Sequence, residues 1–287
     1  MTTRVAIIGG GYAGMTAAVE LARAGVQLSV FQASPSLGGR SAKSADDAQE
    51  FGSGRHLLFG SYAETLGLLR FLGIKPSCFH INPFRLLVPG RLHLRTFSLP
   101  APLHLYAALL LADGLSWADK VAALKLPAKL RKRCRLREPD CTLEELLVET
   151  CQTPRLKELV WNPLCLELLS TSAERASAQA FAHVFLDMFD TSTSSSEILI
   201  PRTTPAELLP VPAAMYVLRQ GNPVRTATPI KRLRLDRGQF KLDGDDDRDS
   251  RFSHVILATA PCQALELLSE FDELTLLREQ LQQLVYV

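Results

Sequence analysis

The sequence predicts an α/β protein in which a parallel-sheet nucleotide-type domain is interrupted by a mainly helical insertion. Three observations carry this. An apolar run, a glycine-rich turn, an amphipathic stretch and a second apolar run follow one another up to Phe31, the rhythm of a βαβ unit. From about residue 76 this gives way to leucine- and alanine-rich patterns punctuated by prolines. Beyond about residue 220 strand patterns return.

Each element has a local reason. Arg4-Val-Ala-Ile-Ile8 has the length and flanks of a buried parallel strand. Gly9-Gly-Gly-Tyr-Ala-Gly14 makes a tight turn. Met15 to Ala24 reads as a helix with Ala17, Ala18, Leu21 and Ala22 on its apolar stripe, and Gly25 ends it. Val26 to Phe31 is the second strand, and Gly38-Gly39 is a second glycine turn. Ser61 and Glu64 open a helix from Tyr62 to Leu72. Thr142 and Glu145 make a capping box, and Pro154 starts a further helix that Pro163 interrupts or ends. Ala176 to Met188 reads as helical, and residues 191–196, all Ser or Thr, as a loop. Ile230–Asp236 and Gln239–Asp243 flank an Arg237-Gly238 turn as a hairpin, and Phe252 to Ala258 is the last strand. Residues 1–75 with 211–287 are thus expected to form one discontinuous domain, and residues 76–210 a helical one.

Composition sets limits. With 47% hydrophobic and 22% charged residues, the chain is neither a disordered tail nor a low-complexity linker. A net charge of +2 argues against a nucleic-acid binder. No run of 18 uncharged apolar residues predicts a bilayer-spanning helix, and Val5–Gly9 leaves no room for a secretory leader, so a cytoplasmic location is expected. The six cysteines form no CxxC pair; reduced thiols and no metal site are expected.

Gly9, Gly11 and Gly14 give the GxGxxG pattern between a strand and a helix, the context that a dinucleotide turn requires. The first glycine permits the turn, the second lets a pyrophosphate approach, and the third lets helix and strand pack. The helix N-terminus beyond it, at Tyr12 and Ala13, offers N–H groups to the anion. Gln32 stands where the second strand should end in an acidic residue facing a ribose, with Ala33 beside it. Its amide can still accept from or donate to a hydroxyl; the alternative is a plain polar strand end.

Gly9–Gly14 followed by Gly38-Gly39-Arg40 resembles the FAD-binding opening of the amine oxidase and phytoene desaturase flavoproteins. Arg40 then implies a contact to pyrophosphate or flavin. Gly54–Leu66, Trp161–Leu166, Glu174–Phe181 and the stretch from Ile200-Pro201 to Leu208-Leu209-Pro210 resemble the squalene-associated desaturases, the hydroxysqualene dehydroxylases. The resemblance implies a glutathione-reductase-type, Rossmann-like FAD domain and a substrate domain. It also implies FAD as cofactor, an isoprenoid substrate, and reductive removal of the hydroxyl of hydroxysqualene on a bacterial route to hopanoids. His56 matches the family's Gly-x-His segment, implying a place near the flavin where it either protonates the leaving hydroxyl or is structural. Arg55 replaces an expected neutral polar residue. Ile230, Ala258 and Thr259 correspond to positions whose backbone lies along FAD. Glu167 and Asp187 are further candidates, with surface placement as the alternative. Relatives of this group continue with a second FAD motif, so the sequence ending at Val287 is expected to be short of one.

An insoluble substrate suggests peripheral membrane contact through the apolar residues 97–111 and the six basic side chains between Lys129 and Arg137. Two alternatives stand beside the dehydroxylase. One is a squalene or carotenoid desaturase or an amine oxidase, although 7% aromatic residues is lean for an amine oxidase site. The other is a non-catalytic flavin- or lipid-binding scaffold.

Overall fold

The computed structural model describes residues 3–39, 57–136, 138–244 and 251–284. The chain forms two compact units. The first draws on Met1–His56, Gly67–Cys78 and Pro201–Val287, the second on Leu57–Leu66 and Phe79–Ile200.

In the first unit, β1 (Arg4–Ile8) runs into α1 (Tyr12–Arg23) and back through β2 (Gln27–Phe31). Four residues of each strand are buried, which is why both read as unbroken apolar runs. α1 begins three residues earlier than the sequence suggests, because Gly11 itself is the N-cap, in extended conformation. Its buried face is Gly14, Met15, Ala18, Val19 and Ala22; Ala17 and Leu21 lie at the margin. Gly25, at φ +72°, takes the left-handed step that ends the helix.

The second unit contains β3 (Leu58–Phe59), the start of α2 (Ala63–Phe71), β4 (Phe79–Asn82), β5 (Arg85–Val88), β6 (Leu92–Arg95), α3 (Leu103–Leu110), α4 (Trp117–Leu136), α5 (Leu143–Glu149), α6 (Pro154–Leu156), α7 (Asn162–Leu169), α8 (Ala178–Phe189) and β7 (Ile198–Pro201). Helices dominate, but two small sheets accompany them. One has the order β3-β7-β4; the other is the β5–β6 hairpin around Pro89-Gly90. Phe181, Phe185 and Phe189 recur every fourth residue on α8, successive rings 5.7 and 4.9 Å apart. They bury fully with Trp161, Leu126 and Leu130, each large side chain contributing roughly 1.5–3 kcal/mol. The Thr142–Glu145 box closes reciprocally at 3.2 and 2.8 Å.

Pro163 neither interrupts nor ends its helix. The segment is helical from Pro154 to Leu169, with a wider π-helical turn over Lys157–Trp161 immediately ahead of the proline. That turn accommodates a residue with no N–H to return to the preceding turn. The basic run is also not a bare cationic face. Lys129 pairs with Glu138 and Glu149 at 3.3 and 2.8 Å, Arg133 with Glu138 at 3.3 Å, and Arg131 makes a two-pronged pair with Asp190.

The first unit closes with α9 (Pro205–Leu208), α10 (Pro210–Arg219), β8 (Val224–Arg225), β9 (Arg232–Asp236), β10 (Gln239–Asp243), β11 (His254–Leu257), α11 (Pro261–Leu267) and α12 (Thr275–Gln282). Its sheet is parallel throughout, in the order β11-β1-β2-β8, with Val5 opposite both His254 and Leu28. The β9–β10 hairpin forms a separate two-stranded sheet, Asp236 opposite Gln239. Ile230 precedes β9 rather than opening it, packed against the apolar cluster that contains Phe31, Leu233 and Phe252. Phe252 bridges to Phe240 instead of extending β11, which shortens that strand. Among the described residues no helix is long and apolar enough to cross a membrane.

Candidate functional site

Strand order positions the site. β1 lies between β2 and β11, so the turn leaving β1 meets the ends of both neighbours. The Gly9 amide donates to Phe31 O at 2.8 Å, and Ala258 N–H donates to Ile8 O at 2.8 Å.

The three glycines of the motif do different work. Gly9 has φ +115°, and a Cβ there would stand 2.4 Å from Ala258 O. At Gly14 a Cβ would stand 1.9 Å from Gly9 O and 3.2 Å from Ala258 Cβ. Both positions therefore exclude a side chain from within the protein. Gly11 is open: the nearest atom a Cβ would meet is Gly38 O, at 3.8 Å. Gly38 N–H donates to Gly10 O at 2.9 Å, and Gly39, at φ +56°, faces the Gly11 Cα. The two glycine turns thus lie face to face with no side chain between them.

At the head of α1 the first returning bond is Met15 N–H to Gly11 O, leaving the N–H groups of Tyr12, Ala13 and Gly14 ahead of the ladder. No side chain caps this end and no acidic residue occupies its first turn. The dipole makes this end electropositive, and the helix places no carboxylate of its own there. Ala13 is exposed. The Tyr12 hydroxyl donates to Pro205 O at 2.7 Å, and burial pushes its pKa up to about 12, so the phenol stays neutral.

Gln32 is buried, and its amide is committed within the protein. Oε1 accepts the Gly10 N–H at 2.7 Å; Nε2 donates to Ser34 Oγ at 2.6 Å and Ser36 O at 3.3 Å. Ala33 beside it is exposed. Thr259 Oγ1 is buried beside the glycine turn and has no partner among the described residues. Glu167 and Asp187 lie exposed on α7 and α8 of the second unit. Arg40, Arg55 and His56 lie outside the described residues. Among the described residues no group of His, Cys, Asp and Glu could hold a metal ion.

A residue not singled out from the sequence is His104 on α3. It is fully buried and packs against Phe189 at 6.0 Å between ring centroids, beside the Pro100 backbone. Burial lowers its pKa. Only its place in an apolar stretch hints at this.

The residues present fit FAD. A pyrophosphate needs backbone N–H groups and a surface without Cβ atoms; Gly11, Gly38 and Gly39 supply the surface, and the start of α1 supplies the donors. The orphan Thr259 hydroxyl adds a free hydrogen-bonding group at the same turn.

Known proteins extend this. The chain is 27% identical over 287 residues to the zeta-carotene desaturase of Synechocystis sp., covering 92% of this chain and 58% of that one. It is 26% identical over 283 residues to the 15-cis-phytoene desaturase of Solanum lycopersicum, covering 93% and 48%. An oxidoreductase from Methanosarcina mazei superposes with a TM-score of 0.71 at 16% identity, covering 98% and 65%, and shares the fold. The chain spans about half the length of the curated relatives it matches. Residues 12–286 match the family described as flavin containing amine oxidoreductase. With that match, the parallel sheet and the paired glycine turns, the chain belongs to this family of FAD-dependent oxidoreductases.

Proposed function

We propose that the chain carries the dinucleotide-binding and helical parts of an FAD-dependent oxidoreductase that exchanges hydride with a long acyclic isoprenoid. The observation that carries this is the surface without side chains that Gly11 and Gly38-Gly39 form together, in a chain whose relatives are carotene-type desaturases. When bound, the flavin of FAD supplies the hydride acceptor or donor. The chain's own part is to hold the pyrophosphate by the N–H groups of Tyr12 to Gly14, with Tyr12 neutral and tied to Pro205.

Two directions are supported by different observations. The segments Gly54–Leu66, Trp161–Leu166 and Glu174–Phe181 favour reductive removal of the hydroxyl of hydroxysqualene, giving squalene. The desaturase relatives favour oxidative removal of hydrogen from a polyene precursor. Expression in cells that accumulate hydroxysqualene, and separately in cells that accumulate phytoene, followed by product analysis, distinguishes them. Squalene supports the first and a more unsaturated carotene the second. Bound FAD with neither product refutes both and favours the scaffold.

Peripheral membrane contact belongs to the same proposal. Leu103, Leu111, Trp117 and Val121 are exposed on or beside α3 and α4, whereas Lys129, Arg131 and Arg133 are already ion-paired. The apolar group rather than the basic run is the part suited to lipid. Flotation with neutral vesicles tests it: loss on Trp117→Ala with Leu111→Ala supports the contact, and no flotation of the wild type refutes it.

A further inference from the structure

We propose that Gln32, by bringing no carboxylate to the end of the second strand, leaves the dinucleotide site indifferent to phosphorylation of the ribose 2′-hydroxyl. This rests on the cofactor reading above and adds a specificity to it. In the dinucleotide fold, the residue ending the second strand is ordinarily acidic, accepts from the ribose hydroxyls and repels a 2′-phosphate. Here an amide stands in that place, and its hydrogen bonds explain why.

Gln32 meets two opposite demands at once. The buried Gly10 N–H needs an acceptor and finds Oε1 at 2.7 Å. The Ser36 carbonyl and the Ser34 hydroxyl need donors, and Nε2 reaches both, at 3.3 and 2.6 Å. Ser34 Oγ passes its own hydrogen on to Ser36 O at 2.6 Å. The relay therefore has a direction, Gln32 to Ser34 to Ser36, and only a side chain with hydrogens to give can start it. A carboxylate could satisfy Gly10 but has no hydrogen to give to Ser34 or Ser36.

The backbone around Gln32 holds the same loop to the neighbouring strand. Gln32 N–H donates to Arg225 O at 2.8 Å, Thr228 N–H to Gln32 O at 2.9 Å, and Ala227 N–H to Ser34 O at 3.0 Å. Gln32 is thus a positioning residue that ties the phosphate turn to the loop after β2. With both amide hydrogens engaged it offers a ribose neither charge nor donor. Ser36, Thr226, Thr204 and Glu207 are among the residues lining a cavity of about 400 Å³ beside the loop. Glu207 accepts from Thr204 N–H and Oγ1 at 3.1 and 2.9 Å, capping its own helix. The Arg225 guanidinium lies over the Phe31 ring, 5.6 Å from its centroid, at the same strand ends.

The test is calorimetric titration of the chain with ADP and with 2′-phospho-ADP at fixed ionic strength. The wild type is expected to bind the two within about threefold of each other. Gln32→Glu restores the missing charge and is expected to favour ADP by roughly tenfold or more, a preference that fades as pH falls through the carboxylate range. Ser34→Ala weakens the relay without adding charge and should leave the ratio as in the wild type, which a merely structural role would not distinguish. Rejection of 2′-phospho-ADP by the wild type by more than about tenfold overturns the inference alone, even where Gln32→Glu fails to fold. An unchanged ratio in a folded Gln32→Glu also overturns it. Failure of the folded wild type to bind either nucleotide overturns the cofactor reading and the inference together.

Discussion

The glycine turn allows fold and cofactor binding to be perturbed separately. At Gly14, alanine would place a carbon 1.9 Å from Gly9 O, some 1.5 Å short of the 3.4 Å at which ordinary contact begins. The obstacle is backbone on β1's own turn, backed by Ala258, so α1 must lift away from the sheet. That overpacking costs about 2–4 kcal/mol and lowers the melting temperature by roughly 5–10 °C. At Gly11 the same substitution meets nothing nearer than 3.8 Å, and the backbone, at φ −80° and ψ −172°, is ordinary for alanine. Only the N-cap preference is lost there, under about 1 kcal/mol. The new methyl group instead stands where the two glycine turns face each other. Gly11→Ala should therefore keep its melting temperature within a few degrees and lose at least tenfold in FAD affinity, about 1.4 kcal/mol. Thermal melts by circular dichroism and FAD titration by flavin fluorescence read the two effects. Wild-type FAD affinity in Gly11→Ala, or wild-type melting in Gly14→Ala, would refute this division of labour between the two glycines.

Two further predictions concern the second unit. His104 is held neutral by burial, so its folded pKa is lowered. As pH falls below about 6.5 the unfolded chain gains a proton that the folded chain does not, and stability drops until the folded pKa is reached. His104→Leu should flatten that loss between pH 7.5 and 5.5 in denaturant melts; unchanged acid sensitivity contradicts it. Thr142→Ala opens the capping box and should cost about 1 kcal/mol, seen as a lower urea midpoint at constant slope.

Local features are legible in the sequence; remote partnerships are not. β1, the turn, α1 and β2 follow from short-range patterning, and β9 and β10 from a two-residue Arg-Gly turn. Gln32 can be located as the end of β2, but its partner Gly10 stands 22 positions away, and no periodicity encodes that bond. The basic run reads as a free face because Glu149 and Asp190, which neutralise part of it, sit on or beside other helices. β3 and β7 are short strands that pair across more than a hundred residues, too brief to give an alternating pattern. Pro163 misleads for a different reason: a wider helical turn absorbs its missing donor, which proline statistics do not foresee.

The most direct measurement is the visible spectrum of the gently purified chain, with the released cofactor identified by mass and counted per chain. A site built from the paired glycine turns and the uncapped start of α1 predicts a yellow protein carrying FAD near one equivalent, or taking it up to that ratio when FAD is added. A folded, colourless chain that takes up no FAD would contradict that site.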